Sequence, residues 1–270
     1  MIWLSVLCLD APIVAVSWQW LFARTLGIAV PMAEREALFL TAWLIYLADR
    51  LADSIVSETP QSARQQFCSG QKYFWIGLIA VAGLLDVEII LRCVKHETVV
   101  RGLYLGGIAL AYLAINHFLS KLWGAIPIKE VTVGFLFAAG TLLAVMPQLI
   151  AARSTIIVAA ALFASLCVLN CISIAVWERD LDRARQKYSI ATRWPSVKPW
   201  APVLPLPLAA VCGLLIIIDR AIWPLVACLG LSAVLLFALH FLSIRTDERT
   251  ALGDLVLLTP LIFALIEKLL

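Results

Sequence analysis

The chain has 270 residues, 63% of them apolar and 14% charged, with a mean hydropathy of +0.96 and a net charge of +3. An ordinary soluble domain is about half apolar and a quarter charged, so a water-soluble fold is set aside. Nucleic acid is set aside as a partner too, because the 21 Lys/Arg are dispersed and form no phosphate-neutralising stripe.

A bilayer core about 30 Å thick needs about 20 apolar helical residues per crossing. Nine runs of about that length stand out: 3 to 23, 32 to 51, 73 to 92, 99 to 119, 128 to 149, 155 to 177, 202 to 218, 221 to 242 and 251 to 268. They use most of the chain and predict one membrane-embedded domain over 1–270. Met1 to Trp20 is apolar without a basic leader or a small-residue cleavage site, so it reads as a retained first span. Gly102, Gly106 and Gly107 in the fourth run suit close helix packing, and the runs lack the alternation of a barrel strand. The expected fold is an all-α bundle.

The seven cysteines are odd in number, contain no Cys-x-x-Cys pair and lie mostly inside apolar runs. With three scattered histidines they form neither a disulfide framework nor a zinc site. If the connections after spans 2, 4, 6 and 8 face the cytoplasm, that side carries 13 of the 21 Lys/Arg, which favours a cytoplasmic N-terminus.

Polar residues collect at particular span ends. Span 2 closes Tyr46-Leu47-Ala48-Asp49-Arg50-Leu51-Ala52-Asp53, placing Asp49 and Asp53 one helical turn apart on one face. Stacked like charges repel, so the pair suits a site where a cation sits between carboxylates. It equally suits a polar helix end neutralised by Arg50 and water. Span 6 ends Trp177-Glu178-Arg179-Asp180-Leu181-Asp182-Arg183, a second i, i+4 acidic pair that emerges on the same side. The basic residues around Asp180 fit the positive-inside bias or anion binding. Before span 5, His117-Phe118-Leu119-Ser120-Lys121 offers a Lys that either snorkels or meets a phosphate, and His117 reads as an interfacial polar residue.

In order and placement these motifs resemble the UbiA superfamily of intramembrane prenyltransferases, over essentially the whole chain. The family reads Asn-Asp-x-x-Asp-Arg-x-x-Asp in span 2. This chain keeps Asp49, Arg50 and Asp53 but has Ile45 and Tyr46 at the first two positions. Glu178 to Asp182 corresponds to the family's Asp-x-x-x-Asp, with Glu replacing the first Asp, and His117 to Lys121 corresponds to its Tyr-x-x-x-Lys, with His for Tyr.

The resemblance implies Mg²⁺ held by Asp49, Asp53, Glu178 and Asp182, with Asp180 auxiliary. It implies an isoprenyl diphosphate contacted by Lys121, with Arg64, Arg50 and His117 as further substrate-binding candidates. It also implies transfer of the isoprenyl group to an aromatic or other lipophilic acceptor, in a bacterial inner membrane or an organelle membrane. Lewis-acid stabilisation of the leaving diphosphate and a water-free apolar cavity are what such chemistry needs. Two other readings remain: a non-catalytic isoprenoid-binding or scaffold relative, kept open by Tyr46, and a secondary transporter, which lacks support from an inverted repeat.

Overall fold

The computed structural model describes residues 7–56, 72–118, 129–184 and 186–269, and among these the regular structure is entirely helical. The helices are α1 (Asp10–Thr25), α2 (Met32–Val56), α3 (Lys72–Cys93), α4 (His96–Phe118), α5 (Lys129–Leu142), α6 (Met146–Ile150) and α7 (Ser154–Trp177). After three short pieces, α8 (Arg179–Ala184), α9 (Ile190–Arg193) and α10 (Val197–Trp200), come α11 (Pro205–Ile218), α12 (Trp223–Leu239), α13 (Thr246–Leu255) and α14 (Thr259–Leu269).

Among the described residues, seven helical segments are long and apolar enough to cross a membrane: Tyr73–Cys93, His96–Asn116, Lys129–Ile150, Ser154–Trp177, Val197–Ile218, Arg220–Leu239 and Thr246–Lys268. The chain is a multi-pass membrane protein. The first two of the nine expected spans correspond to α1 and α2. As described, α1 has 16 residues, short of the roughly 20 a crossing needs. Helix α2 has 25 residues but carries Glu34, Arg35 and Glu36 near its start and Asp49, Arg50 and Asp53 near its end. Both pack as bundle members, α1 against α2, α5, α13 and α14, and α2 against α3.

The core is apolar and close-packed around α1, α7 and α12. Trp18 and Phe22 of α1 pack on Phe163 of α7, with ring centroids 4.8 and 5.8 Å away, and all three side chains are fully buried. The opposite surfaces look outward: Leu84 (74%), Leu103 (71%) and Leu110 (69%) are exposed, as expected of lipid-facing positions, where apolar contact with acyl chains costs nothing.

Prolines locate the breaks. Pro147 and Pro260 lack an N–H, and each ring crowds the carbonyl four residues earlier. Accordingly, 3₁₀ turns occupy Leu143–Val145 and Val256–Leu258 just before them. In a bilayer the freed carbonyls need donors. The Ser232 hydroxyl donates to Val256 O (2.9 Å), and the Trp18 indole donates to Leu257 O (2.8 Å). The second break thereby ties the last span to α12 and α1.

Glycine sets the closest approach. A Cβ on Gly134 of α5 would stand 2.6 Å from Val168 Cα and N, so α5 and α7 touch backbone to backbone there. Elsewhere polar latches hold the bundle. The Thr41 hydroxyl of α2 donates to the buried Asp86 carboxylate of α3 (2.7 Å). At the other end of α7, Asp219 accepts from the Thr155 hydroxyl (2.7 Å) and Ala221 N (3.1 Å), and lies 3.8 Å from Arg153.

Candidate functional site

Helices α1 and α5 begin, and α2 and α7 end, at one end of the bundle. Between them and the α13 break lies a small cavity of about 20 Å³, room for about one water. Its walls are largely apolar, with Val14, Phe137 and Leu257 among them, and its polar members are Tyr46, Asn170 and Asp254. The tight Gly134–Val168 contact is its wall toward an open, outward-facing groove of about 470 Å³ lined by Val168, Leu204 and Leu208.

Each polar group is placed by a local feature. Tyr46 lies on the inward face of α2 and meets Phe137 edge-on at 6.4 Å between centroids. The side-chain amide of Asn170, 4% exposed, donates to Asp254 Oδ1 over 3.1 Å. Gly253 makes room for this pair, since a Cβ there would come within 3.0 Å of the Trp177 ring and 3.3 Å of Asn170 Oδ1. Asp10 at the start of α1 is 1% exposed, and its Oδ1 accepts from Ala11 N.

The sequence-predicted acidic residues stand just beyond this cavity. Asp49 is three residues past Tyr46, and Glu178 is seven past Cys171, another lining residue. With about 1.5 Å of rise per residue, they lie roughly 5 and 10 Å farther along, toward the same end of the bundle. Asp49, Glu178 and Asp182 are half-buried, and Asp180 is exposed. The Asp182 N–H donates to Glu178 O (2.8 Å), so these two residues are one helical turn apart, as their spacing implied. Asp180, between them, falls on the other face. Arg64 and Lys121 lie outside the described residues, as do the side chains of Arg50, Asp53 and His117.

Two further groups fix the segment that carries the second pair. Glu130, buried at the start of α5, accepts from Ile190 N (3.1 Å) at the head of α9, and its charge interacts with that of Asp182. On the other flank, the Trp177 indole donates to His240 Nδ1 (3.2 Å), which leaves His240 Nε2–H to meet the Ser173 hydroxyl (3.1 Å). Burial, and then the nearby Arg249 cation, push the His240 pKa down to about 4, so the ring is neutral and both its nitrogens are satisfied.

No protein family, curated protein or solved structure matches this chain.

Among the described residues, no three His, Cys, Asp or Glu side chains form a ready-made metal cage. The donor set does fit Mg²⁺ in its usual manner, because that ion takes one or two carboxylates and fills its other positions with phosphate oxygens and water. Asp49 on one helix end, and Glu178 with Asp182 on another, offer hard oxygen donors of that kind. Asn170, Asp254, Glu130 and His240 escaped the motif-based reading. Each is an isolated polar residue in or beside an apolar run, and the available signal was that an ionisable residue inside a span marks a site by default.

Proposed function

We propose that the chain is a UbiA-type intramembrane prenyltransferase that transfers an isoprenyl group from its diphosphate to a lipophilic acceptor. The observation that carries this reading is that α2 and α7 line one small cavity, with Asp49 on one and Glu178 and Asp182 after the other farther along toward the same end. Asp49 and Asp53 on one side, and Glu178 and Asp182 on the other, would hold Mg²⁺. When bound, the ion supplies charge neutralisation to the departing diphosphate.

The chain's own residues do the rest. Glu130 and the Trp177–His240 contact keep the Glu178–Asp182 turn in place. Lys121, Arg64 and Arg50 supply basic charge to the diphosphate. The apolar walls around Phe137 and Leu257 exclude water from the reacting carbon. In this reading the site faces the cytoplasm with the N-terminus, following the positive-inside bias.

A non-catalytic isoprenoid-binding role is the second reading, favoured by one observation: Tyr46, where the family has a carboxylate, is packed on Phe137. The deciding experiment incubates purified protein with radiolabelled prenyl diphosphates and a panel of membrane extracts, with and without Mg²⁺. Mg²⁺-dependent diphosphate release that is lost in Asp49→Asn and Asp182→Asn, at unchanged protein level, supports the enzyme. No release with any donor favours the binding role.

A further inference from the structure

The connection from α7 to α11 is one-sided in charge. Residues 183–218 include Arg183, Arg185, Lys187, Arg193 and Lys198 and no Asp or Glu. Arg193 lies over the Tyr188 ring, 6.0 Å from its centroid. Both Arg193 and Lys198 are exposed, and neither meets a carboxylate among the described residues. Trp194 and Trp200 on the same segment are exposed as well, and Trp at the end of a span sits at headgroup level. The outward-facing groove between α5, α7 and α11 begins where this segment ends. Val168 lines the groove and also packs on Ile172, Ile190 and Ala191, a cluster that takes in Val197 of α10. On the other wall, the Leu204 N–H donates to Trp200 O over 3.1 Å, so the two are one turn apart. The groove is apolar apart from Ser165, whose hydroxyl donates to Ala161 O (2.9 Å). Nothing in it calls for a polar partner.

We propose that this face holds one anionic phospholipid of the bilayer, with an acyl chain in the groove and the headgroup phosphate drawn to Arg193 and Lys198. Charge complementarity selects the headgroup, since each Lys or Arg near an anionic membrane surface strengthens binding about fivefold. The groove, about 470 Å³ and open to the bilayer, selects a hydrocarbon chain. An isoprenyl diphosphate has the same two ends but needs carboxylates for its metal, and residues 183–218 have none. The Gly134–Val168 contact also walls the groove off from the cavity that α2 and α7 line. The inference does not depend on the transferase reading.

The full-length protein is stripped of lipid in detergent and titrated with phosphatidylglycerol or phosphatidylcholine of identical acyl chains, and bound lipid is counted by native mass spectrometry. One phosphatidylglycerol is expected to bind at least tenfold more tightly than phosphatidylcholine. The double variant Arg193→Gln/Lys198→Gln should abolish this preference. Arg193→Lys, which keeps the charge, and Arg220→Gln, which removes an exposed charge at the other end of the bundle, should both retain it. Ser165→Phe fills the groove from an exposed position of α7 and should weaken both lipids tenfold or more. Equal affinity for the two lipids, a preference that survives the double variant or is lost equally in Arg220→Gln, or binding unchanged in Ser165→Phe overturns the proposal. Displacement of phosphatidylglycerol by equimolar farnesyl diphosphate overturns it in favour of a substrate groove. Competition by glycerol 3-phosphate, a headgroup without chains, overturns the role of the groove.

Discussion

Asn170 in α7 and Asp254 in α13, 84 positions apart in the chain, are joined side chain to side chain over 3.1 Å at the edge of the central cavity. Interhelical hydrogen bonds within a bilayer contribute about 0.6 kcal/mol on average and up to about 2. Asn170→Ala should therefore lower stability by roughly 1 kcal/mol, measured as a shift in thermal unfolding in detergent. Asp254→Asn, which keeps an acceptor for the amide, should cost less. Equal losses in the two variants would show that the pair contributes nothing specific.

Gly134 is the position where a single methyl group should do most harm. Its absent Cβ would meet Val168 main-chain atoms at 2.6 Å, and backbone cannot move aside as a side-chain tip can. Gly134→Ala should separate α5 from α7 and destabilise by about 1–3 kcal/mol, the usual range for overpacking. Gly106→Ala, where nothing lies within 4 Å, is the control and should be neutral in size-exclusion and unfolding profiles.

His240 gives a pH dependence of definite sign. Its pKa is about 4 in the fold against an ordinary 6.5, so between those values the unfolded chain binds more protons than the folded one. Its contribution to stability is thus complete above about pH 6.5 and is lost as the pH falls toward 4. Thermal unfolding followed from pH 7.5 to 4 should show this decline. His240→Gln, which does not titrate, should flatten that part of the profile.

Asp219 behaves differently because its pKa is lowered, by the Thr155 hydroxyl first and then by Ala221 N and the Arg153 cation. Its contribution is full above the ordinary carboxylate value of 3.8 and is lost only as the pH falls below it. Asp219→Ala should lower the melting temperature at neutral pH, and the difference from the native protein should shrink at about pH 3. A gap unchanged at that pH would mean that the negative charge is not what Thr155 and Arg153 recognise.

Alternation of the helices places Lys187 and Thr246 at the site end and Arg153 and Arg220 at the other. Single cysteines at these positions in a cysteine-free chain should label from opposite faces of sealed vesicles. Labelling of Lys187 and Arg153 from the same face would refute the arrangement.

The sequence by itself settled the membrane class and the helical architecture, because apolar length against bilayer thickness is a local property that each run carries alone. It also fixed Glu178 and Asp182 as one-turn neighbours, since i, i+4 spacing on a helix needs no tertiary partner. Of the nine expected spans, seven have crossing-length apolar helices among the described residues, while α2 carries charge at both ends.

The cavity was decided only in three dimensions. Asn170 and Asp254 are unremarkable in their own segments and become a pair because Pro260 breaks the last span and Gly253 lets it approach Trp177 and Asn170. Tyr46 reads from sequence as a missing metal ligand, yet packing against Phe137 makes it a wall of the pocket. Which polar side chains meet depends on helix rotation and closeness of approach. Those are set by backbone contacts such as Gly134 against Val168, between residues far apart in the chain.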